Sequence, residues 1–357
     1  MVRRGARWLA ARQSVPTSLR AVCGYYGDTG VFAYRSLALK RRVDTRVDEM
    51  LKETFAAVEE ALAEEFGYEY VAFEYDTKLL LPAKLTLGQL YRTHDEREHA
   101  HADEITQLTI EALLDGDMRD AINDEEFEDF EVDFNVDETD RKRVAVVAQR
   151  VLQARVEAGL AEQPDSVEET YDWAVTRSER HQDEDERFRA WMARARDGDN
   201  SASEQIRSGY KHLEFEDSPE IFTAEELALP YLRTQYDRVG VIYDAMVRIY
   251  RSAGFAIDDA FHRSIVLAII GAQIWLDDVD DYDADMREGQ LTPVTAEYLL
   301  ADSDGEAYNQ VVDLSMEYLQ RAKREANSAD SVLTGVATEY IIRDGEPELL
   351  PRSSEAR

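Results

Sequence analysis

The sequence predicts an all-α protein, of a length that allows one large helical domain or two modest ones. Two observations predict it. Apolar residues recur at helical intervals through most of the chain, with few strand signals. Hydrophobic residues make up 44% of the 357, enough to bury a sizeable core. The chain reads as a basic arm over 1–35, a helical domain over 36–345 and a flexible tail over 346–357.

Within that frame, Ser36–Phe66 is expected as a long amphipathic helix with Val43, Val47, Leu51, Phe55, Val58 and Leu62 on one stripe. Val71–Tyr75 is the one stretch expected to be extended. Lys84–Thr93 and Ala102–Leu114 read as helical, either separately or as one interrupted helix. Glu125–Asp140 is acidic and irregular and reads as an exposed loop. Arg141–Leu160 and Val167–Arg196 are further helices, and Asp197–Pro219 is a polar connection. Ala224–Ala253 and Asp258–Arg287 read as two long helices. The second starts at an Asp258 or Asp259 N-cap and stops at Gly289. Thr292 caps the next helix, with Pro293 in its first turn. Helices near Glu306–Glu325 and Ser331–Ile342 complete the domain.

The net charge is −34, from 75 acidic and 41 basic residues, and only seven of the basic residues are Lys. Such acid excess keeps a protein hydrated in molar salt, where the Debye length is about 3 Å. The sequence therefore reads as a halophilic, acidic, cytoplasmic protein, and nucleic-acid binding is disfavoured for its body. Residues 1–42 differ: nine basic residues and one acid make that segment +8 and leave −42 for the remainder. This basic stretch could make a peripheral contact with an anionic membrane face, or tether onto the protein's own acidic surface. No run reaches the roughly 18 apolar residues of a membrane span. The single Cys23 excludes an internal disulfide. Composition does not fix the oligomeric state.

The functional clue is an aspartate array. The segment Ile265–Leu276 is apolar on every face except at Gln273, and then Asp277, Asp278, Asp280, Asp281, Asp283 and Asp285 follow. Steps of four from Gln273 meet Asp277, Asp281 and Asp285, which places them on one helix face about 6 Å apart along the axis. Carboxylates so stacked repel, and burial raises the cost unless cations neutralise them. Their oxygens suit Mg²⁺, which keeps waters and bridges to phosphate. The competing reading is a helix emerging into solvent with ordinary surface aspartates.

The stretch Gly271-Ala272-Gln273-Ile274-Trp275-Leu276-Asp277-Asp278-Val279-Asp280-Asp281, with Asp285 and Gly289-Gln290, resembles the second metal motif of the class I isoprenoid synthases: prenyl diphosphate, squalene–phytoene and terpene synthases. Asp277, Asp278 and Asp281 match a DDxxD form, and Asp277, Asp281 and Asp285 match the cyclase spacing. Gln273 stands one residue further from the first aspartate than in the elongating enzymes, and Gln290 replaces a basic residue. The resemblance implies a single large helical bundle around a central cavity, Mg²⁺, and ionisation of a prenyl diphosphate. It also implies a facing metal helix. The best candidate upstream offers Asp95, Glu96 and His99, with Asp103 again at the i, i+4, i+8 spacing.

The same upstream stretch holds His94, His99 and His101, which leaves open a separate Zn, Fe or Mn site, or simply a polar face. Arg233, Arg238, Arg287 and Lys323 are candidate diphosphate ligands, of which Arg287 is tied to the motif by position. Alternatives to the enzyme are a non-catalytic relative binding isoprenoid, metal or a protein partner, and an acidic helical scaffold.

Overall fold

The computed structural model describes residues 6, 8–10, 12, 15–31, 34–135 and 137–352, with side chains for all of these except 34, 35, 124, 138 and 179–183. Arg3, Arg4 and Arg7 of the basic arm and the last five residues of the tail lie outside them. The protein is all-α: helices carry the chain, and the described residues hold two short strands. Among the described residues, no helix is long and apolar enough to cross a membrane.

The chain divides into two compact units. One comprises Met1–Ala33, Asp172–Ala245 and Ile257–Arg357; the other comprises Tyr34–Tyr171 and Met246–Ala256. The segment 36–345 is thus shared between them. Helix α1 (Thr17–Thr29) opens the first unit. The second unit contains α2 (Tyr34–Phe66), β1 (Phe73–Tyr75), α3 (Leu81–Thr93), α4 (His99–Asp124), β2 (Phe130–Val132), α5 (Glu138–Ala161) and the start of α6 (Asp165–Arg196).

In the second unit the α2 stripe is buried at Val43, Val47, Leu51, Val58 and Leu62, as the periodicity predicts. The central α4 carries a polar row, Asp103, Gln107, Glu111 and Asp115, one turn apart. Each carboxylate in that row is answered: Asp103 by Arg46 at 2.8 Å, Glu111 by Arg155 at 2.7 Å, and Asp115 by Gln149 at 3.0 Å and by Arg119. The acidic stretch expected as a loop does more than connect. Phe130 pairs with Tyr75 and Glu131 with Glu74 in an antiparallel ladder, and Phe127 and Phe130 are buried. Period-two alternation sends the aromatics inward and the acids outward. An open groove of about 770 Å³ beside β2 is lined by Glu125, Phe127, Glu128, Glu131, Phe134 and Arg141. Its Arg141 is committed to the carbonyls of Phe127 and Phe130.

The first unit takes the rest of α6 and then α7 (Asn200–Ile206), α8 (Leu232–Gln235), the beginning of α9 (Val241–Ser252), α10 (Asp259–Ala272), α11 (Asp278–Asp280), α12 (Tyr282–Glu288), α13 (Pro293–Leu300), α14 (Asp304–Ser328) and α15 (Val332–Asp344). Among the described residues three segments wind as π-helix: Arg207–Lys211, Tyr236–Gly240 and Gln273–Asp277. The expected polar connection therefore holds a helix and a π turn that bury Ala202, Ile206 and Tyr210. The helix expected over 224–253 begins only at Leu232, after Tyr231 adopts a left-handed φ of 62°. The one expected over 258–287 is interrupted at Gln273 and again at Asp281. The punctuation was legible: Asp258 accepts from Ala260 N at 2.8 Å, Gly289 stops α12 at φ 78°, and Thr292 caps α13 with Pro293 behind it.

Helix α10 packs along α14, and α14 along α15. At Gly271 an added Cβ would lie 2.8 Å from Leu319, so glycine sets how near α10 and α14 come. Part of the basic N-terminal segment is docked: α1 packs on α15, Lys323 reaches Asp28 at 2.7 Å, and Arg343 reaches the Ala10 carbonyl at 2.9 Å. A Cβ on Gly335 would fall 2.3 Å from the Tyr25 ring. Gly335→Ala is therefore expected to cost about 1–3 kcal/mol by overpacking. Limited proteolysis should show α1 released first; a variant as protease-resistant as the parent would contradict that packing.

Candidate functional site

The site grows out of α10. From Ile265 to Trp275 that helix and its π continuation are buried at nearly every position, because no polar residue but Gln273 interrupts the apolar run. The π turn then changes which carboxylate points inward. In an α-helix the residue one turn below Gln273 is Asp277; here the Asp278 N–H bonds the Gln273 carbonyl, five residues back. Asp278, not Asp277, takes the inward position. It is 1% exposed and accepts from Arg238 at 2.9 Å.

Arg238 arrives through a second π turn. Gly240 lets that turn approach α10: a Cβ there would lie 3.2 Å from Ile270 and 3.4 Å from Val266. The third π turn supplies Tyr210, fully buried, which donates to the Leu291 carbonyl at 2.8 Å just before the Thr292 cap. Its phenol is raised by burial, and its charge neighbours are Arg238, Asp278, Asp185 and Asp285. Three π turns thus contribute to one cluster. Such turns are rare and concentrate at functional sites.

Below the π turn the stripe itself holds. Asp281 N donates to the Asp277 carbonyl at 2.9 Å and Asp285 N to that of Asp281 at 2.8 Å, so these three aspartates succeed each other turn by turn. Asp277 and Asp281 are exposed and Asp285 is half-buried. Desolvation nevertheless raises the Asp277 carboxyl to about 6, with Asp278 adding to it and Arg238 opposing. Asp277 is open to water, which screens part of this effect. Asp285 is pushed up to about 7, by desolvation first and then Asp278, with Arg238 and a Thr292 hydrogen bond opposing. Burial raises Asp278 as well, against Arg238 and Gln273. Burial alone would lower Arg238, but the surrounding Asp278, Tyr210 and Asp285 reverse that and hold it above its usual value. Arg238 bears on Asp277, Asp278 and Asp285, and these three carboxylates outnumber it.

Whether Mg²⁺ fits can be judged from the donors. Among the described residues no three His, Cys, Asp or Glu side chains group closely enough to hold a metal ion. A cage made of protein alone does not fit. Mg²⁺ bound through one or two carboxylates, with water and phosphate oxygens completing the shell, does fit: Asp277, Asp281 and Asp285 are accessible and are not consumed by ion pairs with Arg238.

The upstream candidates belong to the second unit. Asp95 and Glu96 are exposed and stand in the turn before α4, so the helical spacing from Asp95 through His99 to Asp103 does not apply. The histidines have structural partners. His99 is buried against Tyr91, with ring centroids 4.6 Å apart, and its Nδ1 lies 3.0 Å from Arg42. His101 stacks on Phe255 at 5.1 Å and its Nε2 meets the Ala253 carbonyl at 3.1 Å. His94 sits edge-on to Phe255 at 5.4 Å. These contacts are what a polar helix entry with packed imidazoles needs, and they do not converge on one ion.

Of the candidate basic residues, Arg238 reaches the aspartates. Arg287 is exposed and donates to the Asp283 carbonyl at 3.1 Å. Arg233 binds Asp237, and Lys323 binds Asp28 and Glu339. Sequence spacing favoured Arg287 because it lies two residues beyond the array; the three-dimensional signal for Arg238 was hidden in a π turn. No protein-family model, no curated protein and no solved structure matches this chain.

Proposed function

We propose that the first unit carries a Mg²⁺-dependent diphosphate site and that the protein acts as a class I isoprenoid synthase-like enzyme on a prenyl diphosphate. The observation that carries this reading is the accessible row Asp277–Asp281–Asp285, set beside buried Asp278 and its part-buried partner Arg238 at the end of an apolar helix. Excess carboxylates with raised pKa are costly in a folded protein unless cations occupy them. One or two carboxylates of the row Asp277, Asp281 and Asp285 would hold Mg²⁺, with water and phosphate oxygens completing its shell. When bound with diphosphate, Mg²⁺ would supply the charge that stabilises the leaving group. Arg238 fixes Asp278 and adds positive charge next to the row. Apolar side chains of α10 would hold the prenyl chain and keep water away.

A second reading, a non-catalytic relative that binds a phosphorylated or metal ligand, is favoured by the upstream segment. Its Asp95 and Glu96 lie in a turn and its His99 is packed, so no facing carboxylate helix is supplied there. One experiment separates the two. In molar KCl, Mg²⁺ plus diphosphate is expected to raise the melting temperature more than either alone, by differential binding to the folded state. Asp277→Ala/Asp281→Ala should abolish the gain. Release of diphosphate from geranyl, farnesyl or geranylgeranyl diphosphate supports the enzyme; ligand stabilisation without release supports the relative. The same thermal gain in the double variant as in the parent would remove the site.

A further inference from the structure

The N-terminal segment carries a surface of different chemistry from the rest. Trp8 is 57% exposed, Leu9 39% and Leu19 51%. Large apolar side chains held out in water need a reason when they cluster, and these are held together. Arg20 Nε donates to the Ala10 carbonyl at 3.2 Å, tying the turn that bears Trp8 and Leu9 to the first turn of α1, which bears Leu19. The Arg12 guanidinium lies 4.0 Å over the Trp8 ring. The patch therefore mixes exposed Trp and Leu with Arg12 and Arg20, inside the +8 segment of a −34 chain.

From this we infer that Trp8, Leu9, Arg12, Leu19 and Arg20 form a docking surface for an anionic lipid bilayer. Charge complementarity selects the partner. A cationic patch on an otherwise acidic protein seeks an anionic surface, and repulsion of the acidic body from that surface is screened beyond a Debye length. Exposed indole and leucyl groups then select a lipid interface over a nucleic acid, since they gain by entering the headgroup–acyl boundary. The docked α1 gives this surface a rigid base: Ala21, Gly24 and Tyr25 are buried beneath it. Attraction by the arginines weakens in molar salt, while apolar insertion persists. The inference is independent of the diphosphate site.

The test uses the full chain and sedimented vesicles of phosphatidylglycerol or phosphatidylcholine, at 0.2 M and 2 M KCl. The protein is expected to sediment with phosphatidylglycerol vesicles at least fivefold more than with phosphatidylcholine at the lower salt, and to keep part of that binding at the higher. Trp8→Ser/Leu9→Ser/Leu19→Ser should lose at least fivefold with an unchanged melting temperature, since all three side chains are exposed. Trp8→Phe should still bind but lose the blue shift of tryptophan emission on binding. Equal vesicle binding by the triple variant and the parent, absence of binding to either vesicle, or binding to nucleic acid in place of phosphatidylglycerol would each overturn the assignment.

Discussion

Arg238→Ala is expected to cost about 3–5 kcal/mol in denaturant unfolding at pH 8, the range for stranding one member of a buried ion pair. The physical reason is Asp278. It is 1% exposed, and one of its oxygens already lacks a hydrogen-bond partner, so Arg238 is its main compensation. Removing the guanidinium leaves a carboxylate that must either stay charged in a poor dielectric or take up a proton. The loss should therefore shrink at pH 5, where protonation relieves it. Arg238→Ala/Asp278→Asn should recover most of the stability, giving a coupling energy well above the few tenths of a kcal/mol at which distant sites add. A single-variant loss within about 0.5 kcal/mol, the range of an ordinary surface change, would show that the pair holds nothing.

The second large effect is a stability profile of unusual sign. The folded-state pKa values of Asp277 and Asp285, about 6 and about 7, lie above the ordinary 3.8. The folded protein thus binds protons more tightly than the unfolded chain between those limits. Stability is greatest below that window and falls as pH rises through it. Without divalent cations the protein should be less stable at pH 8 than at pH 5. Asp285→Asn should stabilise the metal-free protein at pH 8 by about 1–2 kcal/mol, taking account of the screening its partial exposure allows. In Mg²⁺ plus diphosphate the order should reverse, because the parent gains a ligand that the variant holds poorly. Unfolding curves at pH 5 and 8, with and without the ligands, decide it. A variant less stable than the parent in all four conditions would mean that Asp285 is structural.

Helix content, most helix positions and the caps at Asp258, Gly289 and Thr292 were legible because each rests on local chemistry that a few residues spell out. The strand Phe130–Val132 was not, because acids dominate the stretch 125–140 around it and only Phe130 turns fully inward. The division of the chain into two units was not, since it depends on which distant helices pack together. At the site, the row Asp277–Asp281–Asp285 was legible from spacing. The inward role of Asp278 was not, because three- and four-residue arithmetic assumes α geometry throughout. Nothing in the spacing of Arg238 from the array indicates that it bonds Asp278, forty residues further along the chain.

The π turn at Gln273–Asp277 has a consequence for how this chain lines up with any other. A π turn accommodates one more residue than an α turn, and without it everything downstream would be rotated by about 100°. With the turn in place, Asp278 keeps the azimuth that the fourth residue after Gln273 has in an unbroken helix. A related chain one residue shorter between the amide and the aspartates would present the same carboxylate inward. Counted from Gln273, the inward carboxylate is the second aspartate of the pair, not the first.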